Sequence, residues 1–208
     1  MGKTLALVDY GAGNLRSVEN AFRYLGVQTE ITGDPARLNR ADGVVLPGVG
    51  AFGAAMAGLQ QAGLVEVVRA LALNPGKPFL GICLGMQALF SSGSEGAGRV
   101  PGLGVIPGRV EKMDTREKLP QIGWNELRIL QKDCPLFAGL PEGAYVYFVH
   151  SYAARPENRA RLAATTDYGM EVPAVVWRRE ENVIGCQFHP EKSGDAGLWM
   201  LRNFANFL

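Results

Sequence analysis

Hydrophobic positions in the first half of the chain come in short unbroken runs rather than in alternation. Residues 5–8 form the first run, which ends at Asp9 and the turn-forming YGAGN. Asn14 is placed to cap a helix that carries Val18, Ala21, Phe22 and Leu25 on one face and closes at Gly26. A second strand candidate lies at 27–31, and further apolar runs at 43–46 and 79–82. The third leads into PGVGAFG (47–53), after which a helix is predicted over 54–68 with a break near Gly63. The fourth leads into Cys83, with 86–90 read as helical. Continuous apolar strands separated by helices predict a parallel sheet buried on both faces. In such sheets the loops at the carboxyl ends of the strands share one rim, which brings Asp9, Pro47 and Cys83 together.

The second half has a different texture. Strands are predicted at 104–113, 121–127, 145–149, 174–177 and 183–188 with few helical stretches between them, so antiparallel pairing is expected there. A last helix from about Ser193 carries Leu198, Leu201, Ala205 and Leu208 as its apolar stripe. With no repeat and no low-complexity linker, residues 1–208 read as one domain. The expected fold is α/β: a flavodoxin-like, open, mostly parallel sheet flanked by helices, with an antiparallel extension in the C-terminal half.

Charge narrows the field of partners. The 21 basic and 20 acidic residues leave a formal net charge of +1, which calls for neither a nucleic acid nor an anionic membrane. Arg155, Arg159 and Arg161 read as solvated surface. Cys83, Cys134 and Cys186 are odd in number and far apart, which argues against a disulfide framework. No C-x-x-C pair suggests a metal, and no cofactor is called for. With no apolar run near the ~18 residues that span a bilayer and no signal-peptide pattern, a cytoplasmic location is expected.

The candidate chemistry centres on FLGICLGMQALF, residues 79–90. Gly81, Cys83 and Gly85 make a G-x-C-x-G turn between strand and helix, the outline of a nucleophile elbow with sulfur in place of a serine oxygen. The plainer alternative is a small buried thiol at a strand end. The elbow reading gives each feature a use: glycines remove Cβ clashes, the helix start favours thiolate, and the Leu84 amide is free to face an oxyanion. A base is then needed, and the chain holds only His150 and His189. His150, in YFVHSY, reads as a hydrogen-bonded strand-end residue. His189, in CQFHPEKS, follows a strand and can reach a neighbouring elbow, with Glu191 two residues on to hold the ring. Gly48, Val49 and Gly50 offer amides for a second oxyanion donor, and the glycines flanking Val49 would let its peptide flip at little cost. Catalysis would then depend on what holds that loop.

PGVG, GICLGMQ and FHPEKS, in that order, resemble the class I glutamine amidotransferase domain across essentially the whole chain. Within that family DYGAGNLRSV, PQIGWN and YFVHSY are similar to the glutaminase subunits of imidazole glycerol phosphate synthase. The resemblance implies that Cys83 attacks the carboxamide of L-glutamine, that His189 protonates ammonia and later activates water, and that Glu191 orients His189. It implies an oxyanion hole at Leu84, Val49 and Gly50, and glutamine contacts at Gln87, Glu95, Ser151 and Tyr152. It also implies a (β/α)8-barrel cyclase partner in a heterodimer, for which Trp124, Asn125 and Lys192 are the candidate contacts. Gln121 stands where the family usually has histidine, which touches interface detail only. Other amidotransferase subunits (serving anthranilate, aminodeoxychorismate or pyridoxal phosphate synthesis), a stand-alone cysteine hydrolase and a non-catalytic binding domain stay open at this point.

Overall fold

The structure, a computed structural model, describes residues 2–11, 13–95 and 98–208; Ala12 of the YGAGN turn lies outside them. The apolar runs at 5–8, 43–46 and 79–82 become strands because both of their faces are covered, whereas the polar strand at 28–32 lies half-exposed at the sheet edge. In β1 (Thr4–Val8), Leu5 and Leu7 pack into one core layer and Ala6 and Val8 into the other. Period-2 geometry sends neighbours to opposite faces, so a strand covered on both sides has no polar positions to alternate with.

From β1 the chain passes through α1 (Leu15–Tyr24), β2 (Gln28–Thr32), α2 (Pro35–Arg40), β3 (Gly43–Gly48), α3 (Phe52–Gln61), α4 (Val65–Ala72) and β4 (Phe79–Cys83). A short α5 (Leu84–Ala88) follows, then β5 (Phe90–Gly93), β6 (Val100–Pro101), β7 (Ile106–Lys112), β8 (Gln121–Glu126) and β9 (Arg128–Ile129). The chain continues with β10 (Tyr145–His150), β11 (Tyr152–Pro156), β12 (Leu162–Asp167), β13 (Glu171–Arg178), β14 (Val183–Cys186) and α6 (Gly194–Asn206).

Among the described residues, eight strands form one sheet in the order β2-β1-β3-β4-β14-β13-β12-β9. The pairings from β2 to β14 are parallel, and those beyond β14 are antiparallel. The mostly parallel sheet with its antiparallel C-terminal extension is therefore as the sequence predicts. Two smaller sheets stand beside it, β10-β8 and β11-β7-β5-β6.

Local differences have physical causes. Asn14 adopts a left-handed backbone (φ 74°) and makes no cap bond; its side chain is drawn to Glu191 instead. The helix predicted over 86–90 ends at Ala88, because Phe90 enters β5 and pairs with β7. A short apolar run does not distinguish the two. The line of α6 buried in the core is Gly197, Met200, Leu201 and Phe204, with Leu198, Ala205 and Leu208 only partly covered on its flank. Gly197 sets that rotation, since a Cβ there would collide with the Pro190 carbonyl.

Candidate active site

The elbow is built by steric exclusion. Cys83 itself takes the unusual backbone, φ 53° and ψ −108°, while neither Gly81 nor Gly85 has a positive φ. The two glycines are needed for space. A Cβ on Gly81 would come within 2.8 Å of the Gly85 carbonyl oxygen and Met86 nitrogen, and one on Gly85 would collide with the Leu46 carbonyl. The turn thus closes tightly against β3, and the strain is carried by the residue that bears the sulfur.

β14 lies parallel to β4 with Cys186 level with Ile82, so the residues that follow β14 emerge beside Cys83. His189 is buried, and its backbone N–H donates to the Tyr147 carbonyl at 3.0 Å. Nδ1 of the ring lies 2.8 Å from Glu191 Oε1, and the ring also hydrogen-bonds Cys83. Burial disfavours the imidazolium, but the bonds and charges of Cys83 and Glu191 outweigh it and raise the His189 pKa to about 9. At neutral pH the ring is therefore a cation held between two acidic groups.

His150 behaves in the opposite way. Burial lowers its pKa to about 4, against its bond to the Tyr152 carbonyl and with the help of His189. It is neutral, with Nδ1 donating to that carbonyl at 2.9 Å. Of the two histidines, only His189 touches the sulfur.

A cavity of about 170 Å³ opens over Cys83. Its lining contains Val49, Gly50, Gln87, Glu95, Ser151, Tyr152 and His189, together with Val149 and His150. Leu84 is buried at the start of α5, and Gly48 pairs with Cys83 across β3 and β4. Val49 is 41% exposed on the rim and Gly50 has φ 99°. Glu95 accepts the Phe52 N–H at 2.7 Å, which ties the cavity wall to the start of α3. Among the described residues no group of three or more His, Cys, Asp or Glu is arranged to hold a metal ion.

Residues 6–206 match the profile of the family described as glutamine amidotransferase class I. The chain belongs to the class I glutamine amidotransferases. Two relatives are each described as "Imidazole glycerol phosphate synthase subunit HisH". The one from Symbiobacterium thermophilum is 50% identical over 98% of this chain and 94% of its own. The one from Methanothermobacter thermautotrophicus is 50% identical over 98% of both. The solved structure of PurLQS from Thermotoga maritima superposes with a TM-score of 0.78 at 17% identity, covering 100% of this chain and 99% of that one, a likeness of fold.

Four residues of this amidotransferase site were not singled out for it from the sequence. Asn14 Nδ2 donates to Glu191 Oε1 at 2.5 Å, a bond across the sheet rim. Ser193 Oγ donates to the His189 carbonyl at 2.6 Å and accepts the Tyr147 N–H at 3.0 Å, which clamps the HPEKS turn. Tyr10 donates to the Pro47 carbonyl at 3.1 Å beneath the PGVG loop; burial, and then Cys83, push its hydroxyl pKa upward. Gln187 Nε2 donates to Cys83 Sγ at 3.7 Å. Gln187 and Ser193 lie in CQFHPEKS, and Tyr10 and Asn14 in DYGAGNLRSV, but nothing in the second motif marks its residues as neighbours of Pro47 and Glu191, so distant in the chain.

The candidate partner residues separate. Trp124 is 52% exposed with its edge on Tyr147, and Lys192 is exposed nearby. Asn125 points to the opposite face of β8, where it accepts from Gln121 at 2.8 Å and donates to the Asp167 carbonyl at 3.2 Å. Gln121 is fully buried and pairs in register with His150, so it lies inside the molecule rather than at a surface.

Proposed function

We propose that this chain is the glutaminase subunit of an imidazole glycerol phosphate synthase, a cytoplasmic enzyme that hydrolyses L-glutamine and passes ammonia to a (β/α)8-barrel cyclase subunit in histidine biosynthesis. The observation that carries the reading is a buried imidazole lodged between a strained cysteine and a buried carboxylate, at the floor of a small cavity. The two synthase-subunit relatives at 50% identity support the choice of synthase.

In this reading the Cys83 thiolate forms a bond to the glutamine carboxamide carbon, and the carbonyl electrons move onto oxygen. Amides of Leu84 and of the Val49 and Gly50 segment stabilise that oxyanion, an effect worth roughly 10²–10³-fold per donor. As the C–N bond breaks, His189 gives its proton to the leaving nitrogen and ammonia departs. His189, now neutral, takes a proton from water as the water oxygen attacks the thioester. The C–S bond then breaks, and glutamate leaves a thiolate and an imidazolium behind. Glu191 holds the ring in one tautomer through both halves. Gln87, Glu95, Ser151 and Tyr152 line the space for the rest of glutamine, and Trp124 and Lys192 lie on the face offered to the cyclase.

Glutamate release from glutamine tests this. It is measured with the chain alone, with the cyclase, and with the cyclase plus its ribulosyl phosphate substrate. Release is expected to rise sharply in that order and to disappear in Cys83→Ala. Release that ignores the cyclase would assign the chain to a different synthase.

A further inference from the structure

Gln187 follows β14 directly and is fully buried. Its Nε2 donates to Cys83 Sγ at 3.7 Å, and its Oε1 accepts from Gln87 Nε2 at 3.0 Å. That same Gln87 Nε2 donates to the Tyr152 carbonyl at 3.0 Å. Chemistry fixes the polarity of this chain of bonds from one end. A peptide carbonyl only accepts, so Gln87 must turn its NH2 toward Tyr152. The second proton of that NH2 then points at Gln187, which must answer with oxygen and so leaves its own NH2 for the sulfur. Either carboxamide could be turned over in isolation; one backbone oxygen orients both.

From this geometry we infer that Gln187 is a catalytic hydrogen-bond donor to the reacting sulfur, held in orientation by Gln87. It favours the anionic sulfur both before attack and as the leaving group of the thioester. The inference rests on the glutaminase reading and adds a residue to its machinery. Burial works strongly against thiolates in this fold: it pushes the Cys134 thiol up to about 12 and Cys186 well above the ordinary range. Cys83 is as enclosed as a core residue, and two fixed donors face its sulfur. His189 is one and the Gln187 amide the other.

In the thioester the sulfur is neutral and accepts weakly. When water attacks and the C–S electron pair returns to sulfur, the amide bond strengthens as the charge develops. A donor placed in this way stabilises the transition state more than the thioester before it.

The pH dependence of Cys83 alkylation by iodoacetamide, read on the Cys83 peptide by mass spectrometry, isolates the effect from turnover. Loss of a charge-assisted bond in Gln187→Met is expected to raise the pH of half-maximal labelling by about one unit, a roughly tenfold change in thiolate at neutral pH. A thiolate freed of its donor is the stronger nucleophile, with a Brønsted slope of about 0.4–0.5. The neutral-pH rate should therefore fall only about threefold while the alkaline plateau rises about threefold. A site that had merely loosened would move both rates the same way.

Gln187→Glu keeps the acceptor for Gln87 but presents an acceptor to sulfur, and should shift the profile further. Gln87→Met leaves Gln187 free to turn and should give a smaller shift of the same sign; it carries the test if the Gln187 variants do not fold. A folded Gln187→Met with the wild-type labelling profile, or with both rates lowered together, overturns the inference. Wild-type chain that releases no glutamate even with the cyclase would instead remove the glutaminase reading, and the labelling profile would still report on Gln187.

Discussion

Two donors converge on one oxygen of the buried Glu191 carboxylate, Nδ1 of His189 and Nδ2 of Asn14. Removing Asn14 leaves the carboxylate less restrained and the imidazole less well aimed. Asn14→Ala should lower kcat for glutamine about tenfold with little change in KM, in line with a charge-assisted bond of about 1.5–3 kcal/mol. Asn14→Asp should cost more, since it sets a second negative charge against Glu191. Steady-state glutamate release in the presence of the cyclase checks both. The two histidines make opposite demands on pH. His189 has its pKa raised to about 9, so its contribution to stability is complete below about 6.5 and is lost as pH rises through about 9. His150 has its pKa lowered to about 4, so the unfolded chain binds the extra proton between about 6.5 and 4 and stability falls as pH drops through that window. Urea unfolding across pH should decline on both flanks. His150→Gln should flatten the acid side alone, by up to about 3 kcal/mol.

At the level of elements the elbow makes the sharpest demand on the chain. A left-handed non-glycine backbone costs about 1–2 kcal/mol, so Cys83→Gly should be more stable than Cys83→Ala by about that amount, measured by chemical denaturation. Gly85→Ala should destabilise by 3 kcal/mol or more, or prevent folding, because its Cβ has only the Leu46 carbonyl to displace. The elbow, the His189 and Glu191 pairing and the parallel strands were legible because each is written in a few consecutive residues. What was not legible depends on partners remote in the chain. Asn14 has the chemistry of a helix cap, and the sequence read it as one; a carboxylate 177 positions away claims it instead. β12 (LAATTD) is buried along most of its length, but its alanines carry no strand signature, and β11 contains a proline. Gln121 was read toward the interface, although only its pairing opposite His150 reveals that it is internal.

Across the whole molecule, a set of large side chains stays exposed on the paired strands β8 and β10 and the rim beside them: Ile122, Trp124, Tyr145 and Val49. Apolar anchors of this kind carry much of the affinity where they become buried in a complex. Trp124→Ala should weaken cyclase binding, by calorimetry, at least tenfold, with a smaller loss for Lys192→Ala. Neither change should alter Cys83 alkylation. The order of the main sheet has one more consequence, for the history of each molecule. β14 is the last strand of the chain, yet it sits in the middle of the sheet between β4 and β13. Cys83 leaves the ribosome 106 residues before His189, the difference of their positions. Until β14 slots in beside β4, the sulfur has neither of its hydrogen-bond donors, since His189 and Gln187 both follow that strand. A half-made or stalled chain therefore carries an ordinary cysteine, and the reactive centre switches on only when the last strand closes the sheet.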